Sequence, residues 1–302
     1  DGIYMDQACL SLPCYDASHG HPLGGGAFWL EGFRDLTLDI RQRCGDKNPA
    51  LAGEGCGEPW LPYLDAMLSL QVSMERYAAP GAWAPIPFFQ AVYHDCALFY
   101  GNYSSLSMPP YDDLWPAEFA PKTPLATLDA KFARQFRLEQ ARAFVWGQQP
   151  TVANLLSRHF EERPEETAFA LRLARLRMQA LPFFLHGRML APPRLEVPSA
   201  TLDMSRLSIY AGQRGALREY TQEHPLALGA AWQAPDGRVA VALASISDEP
   251  LRFVLEMGAP PYPLPTAGRL AMLDEKGERD LGAFQGRITL EVEMPPRDAR
   301  VY

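Results

Sequence analysis

The chain has 302 residues, 47% of them hydrophobic, and a formal net charge of −8. That much apolar material suits one large domain, or a large domain with a small one. The acidic balance argues against nucleic acid, whose binders carry a basic surface, and no apolar run approaches the ~20 residues of a membrane-spanning helix.

Gly2-Ile3-Tyr4-Met5-Asp6-Gln7 is an apolar run too short for a helix and ends in a carboxylate. A buried strand of a parallel sheet has this form, and in a (β/α)8 barrel the strand ends carry the catalytic groups. The sequence opens directly into this core strand, so the expectation is a fragment of a longer chain. A loop to Gly26 follows, with Cys9, Cys14, His19 and His21 in it. These four could be read as zinc ligands, but their spacing matches no standard pattern of short, paired gaps. The preferred reading is loop residues beside a substrate cleft, with no metal and no other cofactor. The cysteines, five in all, are too few and scattered for a disulfide framework.

A helix is predicted over 27–44, with Trp29, Phe33, Leu36 and Ile40 as its apolar stripe. A second short run, 50–55, ends at Glu54, and its small residues allow close packing against the backbone. Beyond Pro59, the spacing of Leu64, Met67, Leu68 and Val72 predicts a helix that stops near Pro80. The run 86–93 predicts a third strand, delivering Tyr93, His94 and Asp95. The segment 100–115 reads as a long loop whose tyrosines and Trp115 either stack on sugar rings or anchor the loop. Next come a helix over 125–139, a fourth strand over 141–146 ending in Trp146-Gly147-Gln148, and a helix over 165–181. In that last helix Phe169, Leu173, Leu176 and Ala180 share a face, Arg172, Arg175 and Arg177 lie elsewhere, and Pro182 ends or kinks it.

Strand and helix alternate, which predicts an α/β fold with a parallel sheet. Four such repeats do not close a barrel, so the expected fold is the second half of a (β/α)8 barrel, with the missing strands before residue 1. After Pro192-Pro193 the pattern turns to alternation, with strands predicted at 207–210, 228–232, 239–244, 251–255, 270–273 and 288–292. Asp236-Gly237 marks a hairpin between two of them. The expected organisation is a barrel half over 1–196 and a small antiparallel β-sandwich over 197–302.

Carboxylates at adjacent strand ends would lie side by side, as glycoside hydrolysis requires. Asp6 is the candidate nucleophile and Glu54 the candidate acid, its pKa raised by burial and by the charge of Asp6. Glu58 competes for the acid role but precedes a proline that starts a helix, so it is otherwise a substrate-binding candidate. Tyr93, His94 and Asp95 would bond sugar hydroxyls, with Trp146 as a stacking platform and Gln148 as an amide. Each also has a structural reading, as a cap or as core.

The segments Gly-Ile-Tyr-Met-Asp-Gln at 2–7, Gly-Glu-Gly-Cys-Gly-Glu at 53–58 and Phe-Val-Trp-Gly-Gln-Gln-Pro-Thr-Val-Ala-Asn at 144–154 occur together. In this the chain resembles the latter half of large bacterial glycoside-hydrolase-like proteins with a (β/α)8 barrel and a C-terminal β-sandwich. It is more distantly similar to endo-α-N-acetylgalactosaminidases and the α-amylase superfamily. The resemblance implies Asp6 as nucleophile, Glu54 as acid/base and a retaining glycosidase acting on an α-linked glycan. The α-amylase group has a further Asp after its seventh strand, where this chain has Trp146-Gly147-Gln148. The expected partners are a carbohydrate and the missing N-terminal part of the chain, with neither nucleic acid nor membrane. Two alternatives stay open: a carbohydrate-binding degenerate barrel without catalysis, and a metal-dependent hydrolase using Asp6, His19, His21 and His94. An open half-barrel exposes strand edges, so poor solubility is expected of the chain expressed alone.

Overall fold

The computed structural model describes residues 2–9, 11–76, 84–102, 104–108, 125–206 and 218–302. The predicted strand at 207–210, Trp115 and the helix end near Pro80 lie outside these residues. The chain begins with β1 (Gly2–Met5), α1 (Phe28–Cys44) and β2 (Ala50–Glu54), as the hydrophobic pattern predicts. A 3-10 turn at Glu58–Trp60 leads to β3 (Ala66–Leu68), then a 3-10 stretch at Leu70–Arg76, α2 (Phe88–Tyr93) and β4 (Leu98–Tyr100). The four strands form one parallel sheet in the order β1-β2-β3-β4.

Two expectations in this half are corrected. Residues 64–72 hold a strand where a helix is predicted, because a three-residue strand is too short to show period-two alternation. Residues 88–93 form a helix where a strand is predicted. Phe89 and Tyr93, four apart, stack at 5.1 Å as helical neighbours do, and Phe88 is exposed. The apolar stripe of α1 is also rotated: Phe33 and Thr37 are buried, whereas Trp29 and Leu36 are exposed. The Trp29 indole N–H instead donates to the Leu12 carbonyl of the preceding loop at 2.7 Å.

The sheet separates two environments. Met5, Leu51, Met67 and Phe99 join Phe33 of α1 and Trp60 in one apolar cluster. By the period of two, Tyr4, Ala52, Glu54, Leu68 and Tyr100 point to the opposite face. Beyond β4 the chain returns at Gln149, whose N–H donates to the Phe99 carbonyl at 2.8 Å in a parallel bridge to Tyr100.

Next come α3 (Ala133–Val145), α4 (His159–Glu162), α5 (Pro164–Gln179) and α6 (Leu181–Phe184). The predicted fourth strand, 141–146, is therefore the last turns of α3. That helix is buried from Gln135 to Val145 on all sides, so its apolar residues lack the one-sided pattern of a surface helix. Its charges are neutralised internally: Arg76 holds Glu139 at 2.5 and 2.8 Å, and Arg142 holds Glu75 at 2.6 Å. In α5 the predicted face is buried at Phe169, Leu173 and Leu176, and Ala180, which caps the helix, is buried too. Arg177 is buried as well, donating to the carbonyls of Gln148, Gly147 and Phe184 at 3.1 to 3.4 Å.

The remainder is antiparallel. It comprises β5 (Arg188–Met189), β6 (Ser199–Arg206), β7 (Arg218–Pro225), β8 (Ala227–Gln233), β9 (Val239–Ser245), β10 (Leu251–Met257), β11 (Ala267–Asp274), β12 (Gly277–Gln285), β13 (Ile288–Met294) and β14 (Ala299–Val301). A six-stranded sheet has the order β12-β11-β14-β9-β8-β5, with β10-β13 and β6-β7 as separate pairs. Ala231, Val241 and Leu243 face the β10-β13 pair, where Phe253, Leu255 and Val292 complete a core. Ala230, Trp232, Ala240 and Ala242 face α3 and α5. The Asp236-Gly237 turn joins β8 to β9, with Gly237 at φ 88°, as the hairpin signal predicts.

Candidate active site

The site forms where β1 and β2 end side by side. In register, Met5 is opposite Gly53, which places Asp6 beside Glu54 at the same edge of the sheet. Each strand then leaves through a left-handed residue, Gln7 at φ 53° and Gly55 at φ 87°. Gly55 suits that conformation, since a side chain there would be strained and would crowd Cys9.

The two carboxyl groups stand close enough for Asp6 to act on Glu54 electrostatically. The Tyr4 hydroxyl donates to Asp6 Oδ1 at 3.1 Å, and the Gln7 N–H donates to Glu54 Oε2 at 3.0 Å. Burial pushes the Glu54 carboxyl above the usual range; the Gln7 N–H opposes this, and the charge and hydrogen bond of Asp6 push it further up. Tyr100 of β4 shares the face of Glu54 through the register of β2, β3 and β4. Burial, then Cys56, Cys9 and Glu54, push its hydroxyl up to about 12, and Tyr4 is raised by burial and by Glu54. Burial likewise raises Cys9 to about 12 and Cys56 to about 11, so both thiols stay protonated at neutral pH. The arrangement brings two carboxyl groups together beside two tyrosines, with Asp6 and Tyr4 exposed and Glu54 and Tyr100 partly buried.

The other candidates lie differently. Glu58 is exposed, and after burial it is what pushes the Tyr93 hydroxyl up. His94 and Asp95 follow a helix, not a strand. His94 is packed on Trp232 with ring centroids 4.6 Å apart, and burial lowers its pKa to about 4, against the Phe184 carbonyl. Asp95 lies on the surface beside Cys96. Trp146 and Gln148 are buried at the C-terminal end of α3, inside the core between helices and sheet, and offer no exposed platform. Sequence reading missed Tyr4 and Tyr100. Tyr4 was legible, because it sits two residues before Asp6 and so shares its face; Tyr100 was assigned to a loop.

Residues 1–104 match a family described as a domain of unknown function, DUF6259. The chain is 32% identical over 103 residues to a Bacteroides thetaiotaomicron protein named "Putative glycoside hydrolase", covering 33% of this chain and 15% of that one. It is 28% identical over 267 residues to "Putative glycoside hydrolase 22789" of Monosiga brevicollis, covering 81% of this chain and 20% of that one. The chain thus spans a fifth or less of the length of these relatives. Among solved structures, a GH27 β-L-arabinopyranosidase from Geobacillus stearothermophilus aligns with all of the chain and 57% of its own length, at 11% identity and a TM-score of 0.47. The resemblance to glycoside-hydrolase-like proteins is therefore found in sequence comparison as well as in motifs.

Proposed function

We propose that this chain carries the catalytic carboxyl pair of a retaining glycoside hydrolase acting on an oligo- or polysaccharide. The observation that carries this reading is the register that sets Asp6 beside Glu54 at the ends of adjacent parallel strands, with burial raising the proton affinity of Glu54. In this reading the Asp6 carboxylate attacks the anomeric carbon while Glu54 gives its proton to the departing glycosidic oxygen. Glu54 then takes a proton from water as that water displaces Asp6. Tyr4, bonded to Asp6, fixes the nucleophile's orientation. The carboxyls of retaining enzymes stand ~5 to 5.5 Å apart, a spacing that the ends of adjacent strands can supply.

The same reading makes the parallel sheet part of a (β/α)8 barrel and the antiparallel strands a β-sandwich appended to it. It fits the parallel order of the sheet, in which β1 is the edge strand among the described residues and Ile3 and Tyr4 are 39% and 48% exposed. The test is mechanism-based labelling with 2-deoxy-2-fluoro glycosides bearing activated leaving groups, followed by peptide mass spectrometry. A single adduct on Asp6 is expected, absent in Asp6→Asn. An adduct on another carboxylate would reassign the nucleophile. No adduct from any sugar that the protein hydrolyses would reject the retaining mechanism.

A further inference from the structure

The loop between β1 and α1 gathers three soft or borderline donors that the carboxyl pair does not use. Cys14, His19 and His21 each present one ligand atom, and these atoms lie within 4.8 Å of one another. No other such group occurs among the described residues. Cys14 Sγ is 3.2 Å from His19 Nδ1. Cys9, which sequence spacing groups with them, lies instead beside Gly53 and Gly55 near the carboxyl pair.

The surroundings orient each donor. Cys14 is held by paired backbone bonds with Gly24, at 2.9 and 2.7 Å, which close the loop on itself. His19 points its other nitrogen, Nε2, at Asp16 Oδ2, 3.3 Å away. A carboxylate behind a histidine in this way fixes the ring and raises its basicity as a ligand. Asp16 is itself fixed as the N-cap of the 3-10 turn Ala17–His19, accepting from the Ser18 N–H and hydroxyl. His21 Nδ1 lies 2.9 Å from the Pro22 carbonyl, which selects the Nδ1–H tautomer and leaves Nε2 as a free lone pair. Its ring is stacked on Phe28 at 4.0 Å.

We infer that this loop is a zinc-class metal site, with Cys14 Sγ, His19 Nδ1 and His21 Nε2 as ligands and solvent in the fourth position. One thiolate and two imidazoles suit a borderline-soft divalent ion with tetrahedral preference, and disfavour magnesium or calcium, which take oxygen ligands. Binding releases the Cys14 proton. The ion pins residues 14–24 into one conformation and so sets the loop that leaves β1 just after Asp6. The inference is independent of the reaction proposed for the carboxyl pair.

The test is cobalt(II) titration of the full, reduced, metal-stripped chain, followed by zinc competition against a chromophoric chelator. One equivalent of cobalt should give the intense visible bands of a tetrahedral site and a near-ultraviolet thiolate-to-cobalt band, and zinc should displace it. Cys14→Ser should abolish the thiolate band, and His19→Ala, on an exposed side chain, should weaken binding, while Cys9→Ser and Cys96→Ser change neither. Asp16→Asn keeps the cap but removes the charge, and should cost ~10- to 100-fold in affinity. Circular dichroism of each variant separates lost binding from lost folding. No saturable tetrahedral spectrum, or a thiolate band that survives Cys14→Ser, overturns the site.

Discussion

Substituting Glu139→Gln tests the energetics of the buried ion pairs on α3. Glu139 and Arg76 have 1% side-chain exposure each, and Arg76 grips both carboxylate oxygens. Burial pushes the Glu139 carboxyl up, and Arg76 pulls it back toward ionisation. The glutamine keeps the shape but removes the charge that Arg76 grips through both oxygens. Breaking such a pair from one side costs about 3–5 kcal/mol. At about 2.1 cal/mol/K per residue, the 302-residue chain has an unfolding entropy near 0.6 kcal/mol/K, so Tm should fall by about 5–8 °C. Replacing both partners, Arg76→Met with Glu139→Leu, removes charge and countercharge together and should restore most of the loss. Scanning calorimetry on the three proteins decides it. A Glu139→Gln protein within about 1 °C of the parent, or a double variant worse than the single one, would refute the reasoning.

Acid should destabilise the fold through two histidines. Burial lowers both His94 and His224 to about 4, with Arg142 adding to the effect at His224. Their folded pKa values lie below the ordinary ~6.5. Their stabilisation is therefore complete above pH ~6.5 and is lost as pH falls toward 4, because the unfolded chain binds the protons first. By pH 5 the loss should reach at most ~2 kcal/mol per histidine, measured as a falling urea midpoint, and a flat midpoint between pH 7 and 5 would contradict it. Gly147→Ala should cost ~2–5 kcal/mol: φ is +69°, and the new Cβ would stand 2.8 Å from Trp232 and 2.9 Å from His94. An altered near-ultraviolet dichroism of Trp232 should accompany the drop, and an unchanged Tm would show that the turn relaxes.

What the sequence revealed follows from element length and one-sided burial. α1 and α5 were legible because each has many turns and one wet face. β1 and β2 were legible because a polar residue stops each run abruptly. β3 and β4 are only Ala66–Leu68 and Leu98–Tyr100, too short for alternation to register. The end of α3 reads as a strand because Ala141-Arg142-Ala143-Phe144-Val145-Trp146 is buried all round, and a short apolar run does not distinguish a central strand from a central helix. That error put Trp146 and Gln148 at a strand end when they are core. The placing of Asp6 and Glu54 at the ends of neighbouring strands was foreseeable, since it needs only adjacent strands and a polar residue at each end. The Cys14–His19–His21 cluster was not, because it depends on a loop folding back through Gly24 and not on spacing.

The acid role of Glu54 can be tested most directly by leaving-group dependence. Once the cleaved sugar is known, Glu54→Gln is assayed on glycosides whose leaving groups range from dinitrophenol to a sugar alcohol. Without the Glu54 proton, hydrolysis of the sugar-linked substrate should fall ~10²- to 10⁴-fold, while the dinitrophenyl glycoside, which leaves unaided, should be cleaved at close to its original rate in the glycosylation step. Equal losses across the series would contradict an acid role for Glu54, and no loss on any substrate would remove the carboxyl pair from the reaction.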